Sequence, residues 1–188
     1  MAADPDPVTH TYREFFQPIV EGGTIMNDPY TFLDVTVSAS IYASAYGSQS
    51  AYPTLGVAGS TAVGYFIYKN TGTLPWYDDI SVNAAPAGTR PVHLATSRPI
   101  NRRDNFGSAW GGDQNRPSGQ FAVVYHADGT PFTTNPHVAQ PGESVQFSFV
   151  YTRAAGLPNG FYYDYFQPIV EGGTTMNDPG TFLGVTLH

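Results

Sequence analysis

Between residues 143 and 152 the chain alternates: Val145, Phe147, Phe149 and Tyr151 fall on one side, and Ser144, Gln146, Ser148 and Val150 on the other. A period of two puts successive side chains on opposite faces of a strand, so ESVQFSFVYT predicts the clearest strand in the chain. STAVGYFIYK at 60–69 follows the same rule, setting Val63, Tyr65 and Ile67 against Gly64, Phe66 and Tyr68. Shorter apolar runs predict strands at 91–96 (PVHLAT), 121–126 (FAVVYH), 161–170 (FYYDYFQPIV) and 181–187 (TFLGVTL). Turn formers punctuate them: NTG at 70–72, ADGTPF after the 121–126 run, Pro141–Gly142, and EGGTTMNDPG at 171–180. AAGLPNG, after residue 152, reads as a hairpin-type connection, and 97–120 reads as a long loop. Seven or so short strands separated in this way predict an all-β, antiparallel sandwich.

One pattern recurs at a long period. FFQPIVEGGTIMNDPYTFLDVTV at 15–37 returns as YFQPIVEGGTTMNDPGTFLGVTL at 165–187, offset by 150 residues without a gap and identical at 18 of 23 positions. One interpretation is a short element duplicated within one pseudo-symmetric fold. The other, which a period of whole-domain size favours, divides the chain into 1–37, the end of one repeat, and 38–188, a complete sandwich. The first stretch then carries Phe15, Phe16, Ile19, Val20, Ile25, Met26, Phe32, Leu33 and Val35 with no core of its own. A two-stranded unit is marginal in water, and so much apolar surface drives association. These residues are therefore expected to dock on a neighbouring domain or subunit, by addition to a strand edge.

Composition narrows the options. Hydrophobic residues make up 41% and aromatics 14%, enough for a substantial core, while 20 Gly and 16 Pro break the chain into pieces too short for a long helix. The net charge is −7 and Lys69 is the only lysine, which argues against nucleic acid as a partner. Without cysteine there is neither a disulfide framework nor a thiolate metal site. No apolar run is long enough to span a membrane, and MAADPDPVTH is not a signal peptide, so an export signal would have to lie outside this sequence.

Three stretches carry a resemblance. YKNTGTLPWYDD (68–79), with Asn70, Gly72 and Trp76, resembles the Asn-Thr-Gly…Trp pattern of Ig-like domains related to the four-tryptophan domain of autophagy receptors. PVHLATSRPINRRDNFGSAW (91–110), with Arg102, Arg103, Asp104 and Trp110, looks like a stretch of their bacterial extracellular relatives, and 140–180 looks like their closing segment. The resemblance covers nearly all of 45–188 and implies a non-catalytic Ig-like β-sandwich from an extracellular or cell-surface protein. Only two tryptophans are present and Ala95 stands where glycine is usual, so peptide binding tied to the missing aromatics is not carried over.

Candidate chemistry is sparse. Trp76 is expected as a core anchor, with a sugar-stacking platform as the alternative. Arg98, Arg102, Arg103 and Asp104 could grip a carboxylate or phosphate, but a pairing of Arg102 or Arg103 with Asp104 that ties down the loop is the simpler expectation. Glu171 and Asp178, repeated as Glu21 and Asp28, offer hard oxygen ligands suited to Ca²⁺, although two carboxylates fall short of its usual oxygen count. Asp78–Asp79 is expected as an exposed acidic pair. The five histidines show no metal-ligand spacing, no Gly-x-Ser-x-Gly elbow is present, and no pair of carboxylates is recognisable as flanking a cleft. The expectation is a non-enzymatic structural subunit of a filament, stalk or surface layer whose partners are copies of itself or adjacent repeats. The alternative is a carbohydrate- or cell-wall-binding module.

Overall fold

The computed structural model describes residues 10–16, 21–23, 30–37, 41–176 and 180–188. The chain divides into two compact units, Met1–Ser40 and Ile41–His188. The first holds β1 (His10–Phe16) and β2 (Thr31–Val37). They pair antiparallel with each other as a two-stranded sheet, in a register running from His10 opposite Val37 to Phe16 opposite Thr31.

The second unit begins with β3 (Ser44–Gln49), β4 (Thr54–Leu55), β5 (Thr61–Asn70) and β6 (Trp76–Tyr77). It continues with β7 (Val92–Thr96), β8 (Val123–Tyr125), β9 (Val138–Ala139), β10 (Ser144–Thr152), β11 (Gly160–Val170) and β12 (Phe182–Leu187). The helical content among the described residues is one 3-10 turn at Val82–Ala84 and one α-turn at Gly111–Gln114. No helix there is long and apolar enough to cross a membrane, which says nothing of a β-barrel.

Two four-stranded sheets, ordered β3-β5-β10-β8 and β4-β12-β11-β7, form the sandwich, with β6 and β9 as a small side pair. All pairings are antiparallel except that of β12 with β4. The alternation predicted for 60–69 and 143–152 is the burial pattern of β5 and β10, whose Phe66, Tyr68, Val145, Phe147 and Tyr151 are fully buried. Aromatic rings bridge the two sheets, Phe166 of β11 lying 5.3 Å from Phe66 and 5.2 Å from Phe149. Such ring pairs bury large apolar area in offset or edge-on geometries.

One local expectation is corrected, and the long loop holds. AAGLPNG does not close a hairpin, because β10 pairs with β5 and β8 whereas β11 pairs with β12 and β7, so this segment carries the chain from one sheet to the other. Residues 97–120 are tied into the core by Phe106 and Trp110, which are buried at 3% and 8% exposure.

Asn70 and Gly72 explain their own pattern. The buried Asn70 amide donates to the carbonyls of Leu74 (2.9 Å) and Ala139 (3.1 Å), and its Oδ1 accepts from Gly72 N–H (3.0 Å). A side chain at Gly72 would sit 2.6 Å from the Ile41 carbonyl oxygen, so only glycine lets residues 41–43 pass this turn.

Candidate functional site

The β1–β2 and β11–β12 pairs share one register. Phe15 faces Phe32 as Tyr165 faces Phe182, Glu14 faces Leu33 as Asp164 faces Leu183, and Tyr12 faces Val35 as Tyr162 faces Val185. Their surroundings differ. In the C-terminal copy Phe166, Leu183 and Val185 are fully buried. In the N-terminal copy Phe15 is 64% exposed, Phe16 53%, Phe32 47% and Leu33 56%. Of the expected docking residues, these four are therefore accessible. Val35 is placed by its pairing with Tyr12, and Ile19, Val20, Ile25 and Met26 lie outside the described residues. On the same pair Arg13 Nε and Nη2 donate to Asp34 at 2.7 and 2.8 Å, which raises the guanidinium pKa and lowers that of the Asp34 carboxyl.

A second cluster pins the 97–120 segment under β11. Arg102 Nη2 lies 2.9 Å from Asp104 Oδ2 and also donates to Asp164 Oδ1, with both carboxylates buried. Burial, reinforced by the neighbouring Asp104, pushes the Asp164 carboxyl well above the usual range, against the opposing pull of Arg102. The two buried carboxyls share one guanidinium, which offsets part of the cost of taking them out of water. Burial and the same two carboxyls likewise raise the Tyr151 hydroxyl well above its ordinary value. Arg103 points elsewhere, donating to Gln114 Oε1 at 2.9 Å. Arg102 and Asp104 thus form the loop tie expected of them, completed by Asp164 from a distant strand.

A polar groove of about 780 Å³ opens beside this loop, lined in part by Asp79, His93, Asn101, Arg116, Gln120 and Glu171. His93 on β7 stands between two carboxylates, its Nε2 2.7 Å from Asp79 Oδ1 and its Nδ1 2.9 Å from Glu171 Oε1. Arg116 Nε also donates to Glu171. Partial burial tends to raise the Glu171 pKa, but the hydrogen bond and charge of Arg116, helped by His93, bring it below the usual carboxylate value. A carboxylate already neutralised by a guanidinium is a poor calcium ligand. Its candidate partner Asp178 lies outside the described residues, and among those described no cluster of three His, Cys, Asp or Glu could hold a metal.

The acidic pair is corrected. Asp78 is fully buried, accepting from the N–H groups of Ile80 (2.9 Å), Ser81 (3.0 Å) and Phe121 (3.0 Å) and bonding His137 Nδ1 (2.7 Å). Asp79 is half-exposed and turned to His93. His93, Arg116, His137 and Asp164 escaped sequence reasoning because each has a partner 55 or more residues away. The repeated Glu171 was the one signal pointing to this corner of the fold. Both tryptophans are core: Trp76 is fully buried, and Trp110 donates its indole N–H to the Val150 carbonyl at 2.7 Å. Trp76 offers no face for a sugar, whereas Trp110 borders the groove with a small part of its surface. No protein-family model matches the chain, and no curated protein does.

Proposed function

We propose that the protein is a non-catalytic structural subunit of an extracellular or cell-surface assembly, a filament, stalk or surface layer. Its N-terminal strand pair docks on a neighbouring domain or subunit, a copy of itself or an adjacent repeat. The carrying observation is the exposure of Phe15, Phe16, Phe32 and Leu33 on a two-stranded sheet that repeats a core element of the sandwich. Two strands bury too little to be stable alone, and an exposed aromatic patch of this kind marks an interaction surface. The tandem spacing of 150 residues fits an Ig-like repeat whose neighbours are of its own kind.

Light scattering and electron microscopy of the full chain, beside a chain starting at residue 41, test this. The full chain is expected to form oligomers or filaments and the shortened one to stay monomeric. Assembly that survives the deletion rejects the docking role.

A second reading, a carbohydrate- or cell-wall-binding module, is favoured by the groove, where Asn101, Gln120 and Asp79 present polar groups suited to hydroxyls. Pull-down on peptidoglycan and a glycan array, repeated with Asn101→Ala and Gln120→Ala, tests it. Absence of binding to all polysaccharides removes this reading.

A further inference from the structure

The pattern of change between the two strand pairs tells which surface the spare pair fits. In β11 and β12 the core-facing positions are Tyr162, Asp164, Phe166, Leu183, Val185 and Leu187. The corresponding N-terminal residues are Tyr12, Glu14, Phe16, Leu33, Val35 and Val37: four are identical, one keeps its acid and one its aliphatic character. On the outer face Phe161, Tyr163 and Gly184 have instead become Thr11, Arg13 and Asp34, while Phe182 and Thr186 are kept as Phe32 and Thr36. Phe161 and Tyr163 are 47% and 60% exposed, and Phe161 packs against Tyr52, so the divergence falls on the face that does not meet the core. Glu171, which binds His93 and Arg116 across the seam to β7, is retained as Glu21.

Resting on the docking role proposed above, we propose that the spare pair does not add to an open edge. It enters a second copy of this chain in the place of that copy's β11–β12, between β4 and β7. There Phe16 takes the position of Phe166 among Phe66, Phe149 and Trp110, Glu14 faces Arg102, and Thr36 takes the place of Thr186 beside Thr54 of β4. The chain's own slot is out of reach. The slot's exit at Leu187 adjoins Leu55, and the next residue, His188, accepts from Arg153, at the end of the sandwich where β5 begins. Ser44 pairs with Asn70 at the opposite end of β5 and in the other sheet. The ten residues of β5 rise about 30 Å, whereas the seven steps from Val37 to Ser44 reach about 25 Å at full extension. Insertion within one chain would unravel β3; insertion into a second copy costs nothing there.

The chain has no cysteine, which makes a disulfide test direct. Thr186 lies opposite Thr54 in the β12–β4 register, so in the exchanged state Thr36 takes that place. Full-length chains carrying Thr36→Cys are refolded together with full-length chains carrying Thr54→Cys, oxidised, and resolved by non-reducing electrophoresis and peptide mass mapping. Chains carrying Thr130→Cys, in an exposed turn, give the collisional background, and the double variant Thr54→Cys/Thr186→Cys checks that the register admits a bond. The expected result is a covalent dimer joined through positions 36 and 54, at least tenfold above background. Adding Leu33→Asp to the Thr36→Cys chain returns the yield to background. A 36–54 yield equal to background, with the 54–186 bond forming normally, overturns the exchange. If deletion of the first forty residues still abolishes assembly in that case, the docking role stands and the pair binds elsewhere.

Discussion

Phe166 and Phe16 hold the same position of a repeated strand, yet Phe166 is fully buried and Phe16 is 53% exposed. In both copies the backbone pairs in one register, from Tyr162 opposite Val185 and from Tyr12 opposite Val35. Strand formation is therefore local, encoded in the repeated segment, whereas burial is supplied by whatever the segment meets. The two copies also differ in how the outer face is treated. The C-terminal copy clusters Phe161, Tyr163, Phe182 and Tyr52 there, while the N-terminal copy carries the Arg13–Asp34 ion pair. Charge on an exposed strand discourages indiscriminate pairing, and the inner face keeps its apolar character.

The contrast breaks first at the phenylalanines. In residues 41–188 alone, Phe166→Ala should cost about 3–5 kcal/mol of unfolding free energy. Phe16→Ala in the full chain, held monomeric by dilution, should change the stability of the sandwich by less than about 0.5 kcal/mol. Urea unfolding followed by fluorescence measures both, and equal losses would remove the contrast.

Next comes Gly184, where an added side chain would collide with the Phe161 ring and approach Tyr52 to 3.0 Å. Gly184→Asp should cost about 1–3 kcal/mol through overpacking. Adding Phe161→Thr and Tyr163→Arg, which reproduces the N-terminal outer face, should recover most of it, as thermal melts would report.

The acids inside the C-terminal copy titrate with opposite sign. Asp164 has a raised folded pKa, so the native state holds its proton after the unfolded chain has released one. Stability is then largest below the ordinary carboxylate pKa and falls as pH rises towards the folded value. Asp164→Asn should abolish that decline. Glu171, with its lowered folded pKa, contributes above the ordinary value and loses the contribution as pH falls through the folded one, so Glu171→Gln should flatten the acid limb. Urea midpoints across the acidic range separate the two. The smallest effect belongs to Asp34→Ala, whose ion pair with Arg13 is solvent-exposed and screened. Its loss should leave the melting of the sandwich where it was.

The long strands were legible because each carries a full alternation: 60–69 and 143–152 became β5 and β10 within one residue at each end. The short ones were not. β4, β6 and β9 are two residues each, too few to show a period, and β3 loses its period at the bulge between Tyr46 and Ser48. Trp76 and the Arg102–Asp104 tie were legible because their partners are generic to a core or near in sequence. Asn70 entered through the resemblance, and one of its partners, Ala139, lies 69 residues away. Asp78 misled because polarity suggests exposure, while its neutralising partners, the Phe121 N–H and His137, come from strands and loops far along the chain. The residues proposed to dock were legible as a repeat, but the exposure of Phe15, Phe16, Phe32 and Leu33 becomes visible only in three dimensions.

The position of β11–β12 in chain order bears on biosynthesis. Strands leave the ribosome in order at a few to about twenty residues per second, so the pair lying between β4 and β7 is the last part of the sandwich to emerge. For several seconds each nascent copy presents a cleft lined by Phe66, Phe149 and Trp110 with its filler still unmade. The matching strands β1 and β2 precede the sandwich in the chain and have by then already emerged. An insert made before its slot is filled gives the proposed exchange a window that closes once a copy's own β11–β12 is seated.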